Sequence, residues 1–405
     1  MDVTEAFMMS EGQKPPYGII FFTGRLQALD YFTSKLIEGA RHFGVEYYVV
    51  DVTRPETWQY DAFHTFCKRR YVAAFCFNQV GLGMLTQNVN LWEEMQIPVY
   101  TFVQDHPRNF SDALLHPIDR LHVIVLDRNH AAFIRRYYPE VKSIYYMPNG
   151  GWEEYTEDAP SYRDREIEVV FFGSFNVGGY GENEFFEDGG ASFYNTCVNR
   201  LAAEPMRTTE SVIEEYVRES GISCDNDQMR ELIIRSATGI ESTVRGYYKR
   251  LAMQTLGQAG IHVEIYGDNW LHDGYVYHEN IKVNPRITPG ECNRIVKKAK
   301  IALNFMPWFK DGCSERVFNN MLGGAVCVTE QSGYLKERFL DGKELVYYDP
   351  RNPEQLAADV RWLLDHEDTA AQIAARGYEA AKDHDTWIHR FEEIYRLIQQ
   401  DDDRP

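Results

Sequence analysis

The sequence lacks an excess of basic residues. It has 42 lysines and arginines against 61 aspartates and glutamates, which gives a formal net charge of −19. Binding to nucleic acid requires a basic surface that neutralises phosphates, so this balance argues against a nucleic-acid partner but allows one local basic pocket. The remaining composition, with 44% hydrophobic and 25% charged residues, is that of an ordinary globular protein.

Metal-binding and redox motifs are missing as well. The seven cysteines are scattered, and neither a C-x-x-C pair nor a matching histidine spacing accompanies them. The sequence therefore predicts no metal site and no disulfide framework, and a reducing cytosol is the expected compartment.

Long apolar segments are absent too. No run reaches the roughly 18 apolar residues that a membrane-spanning helix needs. The opening segment MDVTEAFMMSEGQKPP contains no basic stretch followed by an apolar core, as a secretory signal would. We therefore expect a cytoplasmic protein without a transmembrane segment.

The length of 405 residues indicates two domains rather than one core. In the first half, short apolar runs alternate with helical patterns, which is typical of βαβ units and a parallel sheet. The predicted strands are 17–23, 45–52, 72–77, 98–104, 122–127 and 143–147. A polar, acidic stretch from Trp152 to Arg165 follows, and we place the domain boundary there.

The second half repeats this alternation after a long interruption. Its predicted strands are 167–173, 261–266, 281–283, 301–306, 325–329 and 344–348, and its predicted helices are 289–299, one that starts at Ser314, and 353–365. Residues 176–258 show helical patterns without a convincing strand, which predicts a helical insertion. The expected fold is α/β, with two doubly wound, Rossmann-like domains that face a central cleft.

The predicted domains are 1–151 and 152–383, and a last helix within 384–405 is expected to cross back to the first domain. Apolar residues recur in that helix at helical spacing and predict one buried face. Its members are Trp387, Ile388, Phe391, Ile394, Tyr395 and Ile398.

The stretch 301–330, IALNFMPWFKDGCSERVFNNMLGGAVCVTE, carries the most informative site pattern. A buried strand runs into the loop from Pro307 to Cys313, and Ser314 is a suitable N-cap for the next helix. The N–H groups that open this helix would face the edge of the sheet where anions bind. Arg316 adds a forked donor for phosphate, and Asn319 lies one turn further along. The alternative is purely structural, because capped helices follow strands in every α/β protein.

Residues 301–398 resemble the nucleotide-binding domain of glycosyltransferases with the GT-B fold, especially the spore maturation protein CgeB-like group. The resemblance rests on NFMPW, KDG, SERVFNNMLGGA and VCVTE in succession, on the turn from Glu337 to Gly342, and on IAARGYEAAKDHDTW near the end. Related retaining enzymes often place two glutamates eight residues apart across this loop and helix. The corresponding residues are Asp311 and Asn319, so the spacing is kept without the residue types, and retention or inversion stays open.

Two further segments extend the resemblance over most of the second half. IEVVFFGSF at 167–175 is similar to the first strand and turn of the donor domain, and EIYGDNW at 264–270 is similar to the segment beside the nucleotide base. The resemblance implies that the second domain binds a nucleotide sugar. The implied donor-site residues are Gly173, Ser174, Tyr266, Gly267, Asn304, Lys310, Asp311, Gly312, Cys313, Ser314, Arg316 and Asn319.

The segments TFVQDHP (101–107), VLDRNHAAFIRRYYP (125–139) and YMPNGG (146–151) of the first half also resemble this group, which makes the first domain the acceptor side. Asp105 and His106 follow a predicted strand, and transfer to a hydroxyl needs a base at such a position. We predict Asp105 as the base, with His106 as second choice. The alternative is that Asp105 caps a turn and His106 packs. Weaker candidates are Gly24, Arg25, Asp127 and His130.

The resemblance implies a hexosyltransferase that moves a sugar from a nucleoside diphosphate, with UDP favoured, to an acceptor on a glycan, protein or small molecule. Lys310, Arg316 and the start of the helix would stabilise the departing diphosphate. No D-x-D pair follows an apolar strand, so no metal or other cofactor is expected.

Two other functions stay open. A nucleotide-sugar 2-epimerase of the same architecture would act on the donor alone, and a catalytically silent module would only bind a sugar nucleotide or glycan. A dehydrogenase is disfavoured, because Gly178-Gly179-Tyr180-Gly181 does not form the G-x-G-x-x-G fingerprint at a strand-to-helix turn.

Overall fold

A computed structural model gives the architecture of the chain and describes residues 17–69, 71–86, 88–152, 160–175, 190–274, 276–306 and 309–401. These residues form two compact units. The first unit contains the described residues up to Gly150 together with those from Asp385 onward, and the second runs from Gly151 to His384. The Gly178 to Gly181 run lies outside the described residues.

Strands and helices alternate along the chain in the order expected of βαβ units. The strands are β1 (Gly18–Thr23), β2 (Tyr47–Asp51), β3 (Val72–Phe77), β4 (Leu85–Thr86), β5 (Val89–Asn90), β6 (Val99–Val103), β7 (Leu121–Val125), β8 (Ser143–Tyr146), β9 (Ile167–Phe172), β10 (Val263–Tyr266), β11 (Ile281–Asn284), β12 (Ala299–Asn304), β13 (Val326–Glu330) and β14 (Val346–Tyr348).

The helices are α1 (Gln27–His42), α2 (Glu56–Gln59), α3 (Asp61–Cys67), α4 (Leu91–Glu94), α5 (Ser111–Leu115), α6 (Arg128–Tyr137), α7 (Gly190–Ala203), α8 (Thr209–Glu219), α9 (Asn226–Gln258), α10 (Pro289–Val296), α11 (Glu315–Leu322), α12 (Gly333–Arg338), α13 (Pro353–Asp365), α14 (Glu367–His384) and α15 (Trp387–Asp401). Short 3-10 turns add Pro107–Phe110, Tyr162–Asp164 and His272–Gly274. Among the described residues, none of the helices has both the length and the apolar character that crossing a membrane requires.

The first unit is built on a six-stranded parallel sheet in the order β2-β1-β3-β6-β7-β8. The chain moves outward from β1 to β2 and then continues on the other side of β1 with β3. The strand order therefore reverses between β1 and β3, and ligands of open α/β sheets bind beyond the carboxyl ends of such strands. The antiparallel pair β4 and β5, which was not predicted, lies outside this sheet.

The last helix, α15, packs against α1 within the first unit. Gly39 makes this contact close, since a Cβ there would lie 2.6 Å from Cβ of Phe391. The rings of Phe43 and Phe391 are stacked with centroids 5.9 Å apart. The predicted apolar face is buried except for Ile388, which is 40% exposed. Ile388 lies at the outer edge of the stripe, about 100° around the helix from Trp387, so the predicted face was one residue too wide.

The second unit also has a six-stranded parallel sheet, in the order β11-β10-β9-β12-β13-β14. Neighbouring residues of β9 face opposite sides, because Val169 and Phe171 pack with α9, α13 and α14 while Val170 and Phe172 pack in a separate cluster near α10. Both faces are thus covered, as in a doubly wound sheet. Here the strand order reverses between β9 and β12.

The connection from β9 to β10 carries the helices α7, α8 and α9. Helix α9 is 33 residues long, begins with a capping box at Asp225, and ends beside the start of β10. Its Lys249 lies at the carboxyl end of β9, as its contact with Ser174 shows. The part from Asn226 to Lys249, about 35 Å at 1.5 Å per residue, therefore extends beyond this edge of the sheet.

The predicted α/β fold with two doubly wound sheets and a helical insertion is confirmed, although residues 176–189 of the insertion lie outside the described residues. The predicted strands are found within two residues at either end. One helix was predicted too long: α10 ends at Val296 rather than at residue 299, because Ala299 already pairs with Ile167 in the sheet.

Candidate functional site

Two glycines bring backbone close together beyond the end of β9. A Cβ on Gly267 would lie 2.3 Å from the carbonyl oxygen of Gly173, and the Gly173 N–H donates to the Tyr266 carbonyl at 3.0 Å. Gly173 has a φ of +152°, a conformation that residues with side chains rarely adopt. Both positions therefore require glycine, at the reversal point where ligands of such sheets bind.

Two cationic side chains lie at this same edge. The guanidinium of Arg316 donates to the Phe172 carbonyl at 3.0 Å, and Nζ of Lys249 donates to the Ser174 carbonyl at 2.9 Å. Lys249 is only 3% exposed. Because both partners are uncharged carbonyl groups, these bonds orient the two side chains without neutralising their charge.

Lys249 is the more perturbed of the two cations. Burial lowers its pKa well below the usual value, and the nearby charges of Arg245 and Arg316 lower it further, while Glu330 acts in the opposite direction. A bound anion would favour the charged form of Lys249 again. The electrostatics of this edge therefore favour a negatively charged ligand.

A small cavity of about 30 Å³ adjoins Lys249 between the insertion and the edge of the sheet. This volume holds about one water molecule. The insertion contributes Leu201, Pro205, Glu241, Val244, Arg245 and Tyr248, and the sheet edge contributes Phe305, Lys310 and Glu330. The cavity thus joins carboxylates and cations from both parts of the unit.

Glu330 occupies the carboxyl end of β13, on the sheet side of the cavity. Its Oε1 accepts hydrogen bonds from the N–H of Met306 and from the hydroxyl of Tyr348, both at 3.3 Å. Burial raises the pKa of Glu330, and the charge of Lys310 partly opposes this shift. Glu330 is therefore a buried acidic group close to the charges of Lys310, Arg245 and Lys249.

Ser314 occupies the predicted N-cap position of α11, but its side chain does not cap the helix. Its hydroxyl donates instead to Oδ1 of Asn304 at 3.3 Å, and Nδ2 of Asn304 donates to the hydroxyl of Thr329 at 2.9 Å. The buried Asn304 amide competes for the serine hydroxyl. The first turn of α11 consequently has no side-chain cap from the described part of the chain.

The described part of the loop before α11, residues 309–313, contacts the start of α12. Pro307 and Trp308 of this loop lie outside the described residues. These contacts are the Gly333 N–H to the Lys310 carbonyl at 2.8 Å and the Ser332 hydroxyl to the Gly312 carbonyl at 2.6 Å. The Asp311 carboxylate lies against the same turn, since a Cβ on Gly333 would be 2.3 Å from its Oδ1. Cys313 is buried, with Sγ 3.1 Å from the Ser314 carbonyl.

The predicted donor-site residues are therefore only partly brought together. Gly173, Ser174, Gly267 and Arg316 meet around the end of β9, as the contacts above show. Tyr266 and Asn319 have other partners: the Tyr266 hydroxyl donates to Oε2 of Glu264 at 2.7 Å, and Oδ1 of Asn319 accepts from the Trp152 N–H at 3.3 Å.

In the first unit, Asp105 and His106 have contrasting surroundings. Asp105 is exposed, and its Oδ2 accepts a hydrogen bond from Nδ2 of Asn78 at 3.0 Å. His106 is 5% exposed, its Nδ1 accepts the Arg108 N–H at 3.2 Å, and its ring packs against Phe133. A carboxylate at the surface can reach a ligand, whereas the imidazole is occupied with local structure.

Two of the weaker candidates also serve local structure. Asp127 is fully buried and caps α6, with Oδ1 accepting the Asn129 N–H at 2.7 Å. Gly24 has a φ of +98° and donates its N–H to Oδ1 of Asp30 at 2.9 Å. These contacts explain both residues without a ligand.

The sequence did not single out Lys249, Arg245 and Glu330. Lys249 falls on the buried stripe of α9 with Met253 and Leu256, and a cation on an apolar stripe is the signal that could have revealed it. Glu330 ends a buried strand, the same signal that singled out Asp105. Within the described residues, no group of three or more histidine, cysteine, aspartate or glutamate side chains is arranged to hold a metal ion.

Comparison with known proteins adds a partial family match and a fold. Residues 245–396 match the family described as "Glycosyl transferase-like". No curated protein matches the sequence significantly.

The solved structures that this chain is similar to include sucrose-phosphate synthase from Thermosynechococcus elongatus, with 11% identity, a TM-score of 0.54, and 95% of this chain and 98% of that chain covered. AviGT4, a glycosyltransferase involved in avilamycin A biosynthesis, is 9% identical with a TM-score of 0.53, and the match covers 95% of this chain and 98% of that chain. Alr3699/HepE from Anabaena in complex with UDP is 10% identical with a TM-score of 0.51, and the match covers 95% of this chain and 100% of that chain. The family match and the shared fold support a glycosyltransferase with the GT-B fold.

Proposed function

We propose that the protein is a hexosyltransferase that moves a sugar from a nucleoside diphosphate, with UDP as the preferred nucleotide, to a hydroxyl group of an acceptor. The donor site lies at the carboxyl edge of the second sheet, and the acceptor contacts lie at the carboxyl edge of the first. The glycosyl transferase-like family match supports the reaction class. The CgeB-like relationship stays a prediction from the sequence.

The observation that carries the proposal is the pair of oriented cations beside a glycine-lined backbone. Lys249 and Arg316 are each held by a neutral carbonyl group within two residues of Gly173. A diphosphate placed there gains charge-assisted hydrogen bonds from both side chains. Such fixed donors stabilise the charge that develops as the nucleoside diphosphate departs.

The transfer step forms a bond between the acceptor oxygen and the anomeric carbon of the sugar. It breaks the bond from that carbon to the diphosphate oxygen, and the bonding electrons leave with the nucleoside diphosphate. The proton of the acceptor hydroxyl goes to a base, for which we propose Asp105 because its carboxylate is exposed. We propose His106 only as second choice, because its ring is packed and its Nδ1 already accepts a backbone N–H.

We further propose that Lys249 and Arg316 offset the diphosphate charge without a metal ion. Lys310 and Glu330, which line the adjoining cavity, would then contact the sugar or phosphate end of the donor. We propose UDP as the nucleotide because HepE, one of the structures with the same fold, was solved in complex with UDP.

The proposal is tested by measuring the thermal unfolding midpoint of the full chain with UDP, GDP, ADP and dTDP. A ligand at 100 times its Kd stabilises the folded state by about 2.7 kcal/mol, so UDP should raise the midpoint most. No shift with any nucleotide would contradict the donor site.

A second assay separates the proposed reaction from the alternatives. With UDP-glucose and UDP-N-acetylglucosamine, slow release of UDP identifies a transferase, and this release should persist in EDTA. Conversion of the sugar without release would identify an epimerase, and binding without either product would identify a silent module. The latter two outcomes would overturn the proposed reaction.

A further inference from the structure

A network of amide side chains surrounds Asp105 in the first unit. Oδ1 of Asn78 accepts the Gln104 N–H at 2.7 Å, while Nδ2 of Asn78 donates to Asp105. Nδ2 of Asn149 donates to Oε1 of Gln104 at 2.8 Å. These residues follow β3, β6 and β8, so three strands deliver neutral amides and one carboxylate to the same edge of the sheet. Asn78 directly follows β3, one of the two strands of the reversal point.

The network leaves some of its polar atoms without partners. Within the described part of the chain, Nε2 of Gln104 and Oδ1 of Asn149 are buried and make no hydrogen bond. Asn149 is only 1% exposed. Leaving a buried polar atom unpaired costs about 1–3 kcal/mol, so two such atoms in one network are a substantial cost. A ligand that offers both donors and acceptors would remove this cost.

Two consecutive residues at this edge have a left-handed backbone conformation without being glycine. Asn78 and Gln79 have φ values of +47° and +63°, although neither is glycine. The conformation is held by the Asn78 N–H on the Phe102 carbonyl at 3.1 Å and by the Gln79 N–H on the Thr101 hydroxyl at 3.0 Å. Strain of this kind is concentrated at ligand-binding sites, and here it accompanies the Asn78 amide that joins the network.

We propose that this amide network is the subsite for a neutral, polyhydroxylated acceptor, such as a sugar residue without phosphate or carboxylate groups. The inference rests on the proposed function and names its acceptor class. A hydroxyl group donates one hydrogen bond and accepts two, which matches the open donor of Gln104 and the open acceptor of Asn149. The hydroxyl beside Asp105 is the one that gives up its proton.

The charges of the network distinguish a neutral acceptor from an anionic one. Its members are three amides and the carboxylate of Asp105, which repels a phosphate. The nearest arginine bonded to the network, Arg390, donates Nε to the Asn149 carbonyl at 3.2 Å. Its other nitrogens bind Asp385 at 2.8 Å and Glu393 at 2.6 Å, so its charge is matched within the unit. Arg390 therefore offers no unmatched positive charge to an anionic acceptor.

The test uses the full chain, UDP-glucose, and two sets of candidate acceptors. The neutral set contains methyl glucosides, galactosides and mannosides of both anomeric forms, and the anionic set contains glucose 6-phosphate and glycerol 3-phosphate. UDP release above the rate in buffer is measured for each, and products are identified by mass spectrometry. Neutral glycosides should stimulate release, and the phosphorylated compounds should not.

The variant Gln104→Met removes both polar atoms of one amide while keeping its length. It should lower kcat/KM for the stimulating glycoside about tenfold while the Kd for UDP stays unchanged, because the change lies in the acceptor subsite alone. Gln59→Met, at an exposed glutamine of α2, is the matched control and should behave as the parent protein. The variant Gln104→Glu keeps the shape and replaces the Nε2 donor with a charged oxygen, so a loss of transfer in both variants is not explained by a packing defect in Gln104→Met alone.

The outcomes separate this inference from the proposed function. If UDP binds and UDP-glucose is consumed, but phosphorylated acceptors stimulate as well as neutral ones, the neutral subsite is wrong and the transferase stands. Unchanged kcat/KM in both Gln104 variants, with unfolding midpoints like that of the parent, would also overturn the subsite. Failure to bind any nucleotide would instead overturn the proposed function.

Discussion

The two units have closely related sheets but different side chains at the carboxyl edges of these sheets. In the second unit, the reversal point carries the cations Lys249 and Arg316 beside the glycines at 173 and 267. In the first unit, the corresponding edge carries neutral amides and the carboxylate of Asp105. The comparison teaches that the fold provides the place for a ligand, whereas a few side chains at the strand ends decide its charge.

The backbone differs in the same sense. The second unit uses glycine where two segments approach closely, because a Cβ on Gly267 would collide with the Gly173 carbonyl. The first unit places Asn78 and Gln79 in left-handed conformations without glycine. In the proposed function, a diphosphate binds at the first arrangement and a hydroxylated acceptor at the second. The comparison therefore predicts that changes in one unit affect nucleotide binding and changes in the other affect transfer.

The largest effect is expected at Asp105. Asp105→Asn should lower the transfer rate about a thousandfold, because positioned bases contribute about 10²–10⁴-fold, and the Kd for UDP should not change. Initial rates with a neutral glycoside and calorimetric titration with UDP measure the two quantities. Asp112→Asn, at an exposed aspartate of α5, is the control. Transfer that survives in Asp105→Asn would mean that the base lies elsewhere.

The next effect is expected in the second unit. Arg316→Ala should lower donor turnover about a hundredfold, since one fixed donor to a developing negative charge contributes about 10²–10³-fold. The exposed Arg294 of α10 provides the matched control Arg294→Ala. Circular dichroism and the unfolding midpoint check that the fold is kept. Turnover close to the parent rate would remove Arg316 from the diphosphate site.

Lys249 links nucleotide binding to pH. Lys249→Met should weaken UDP binding about tenfold or more, the loss of one charge-assisted hydrogen bond. In the parent protein, UDP affinity should fall as pH rises through the lowered pKa of Lys249, because only the charged form binds the diphosphate well. Calorimetric titrations at several pH values measure this, and Lys298→Met, at an exposed lysine, is the control. A pH-independent Kd would contradict the role of Lys249.

The lowered pKa of Lys249 has the opposite effect on the stability of the protein without nucleotide, which should rise with pH. The folded state holds Lys249 at a lowered pKa, so the unfolded state binds more protons between that pKa and the ordinary value of 10.5. The free energy of unfolding contributed by Lys249 therefore rises with pH in this window. At pH values below this window, Lys249→Met should be as stable as the parent protein or more stable. A large loss of stability there would show that the lysine is structural.

The smallest effect is expected for the glycine pair. Gly267→Ala places a Cβ against the Gly173 carbonyl and should lower the free energy of unfolding by about 2 kcal/mol, the usual cost of overpacking. Gly290→Ala is the control, because nothing lies within 4 Å of a Cβ there. Urea denaturation measures both. Equal stability of the two variants would mean that the close approach of the two loops has no energetic consequence.

Local sequence patterns predicted the sheets and the strand ends well, because buried strands and amphipathic helices leave periodic apolar residues. They pointed to Gly173 and Asp105, which directly follow such strands. They could not reveal Lys249, which reaches Ser174 from 75 residues further along the chain, or the Asn149 amide, which meets Gln104 across 45 residues. Long-range contacts of this kind depend on how a crossover helix or loop returns to the sheet edge, and no local pattern encodes that return.

The most direct test of the central claim is a crystal structure of the protein soaked with UDP. The account predicts that the diphosphate lies within hydrogen-bonding distance of Lys249 Nζ and the Arg316 guanidinium, beside the backbone at Gly173. A diphosphate bound elsewhere, or this edge filled by another part of the chain, would contradict it.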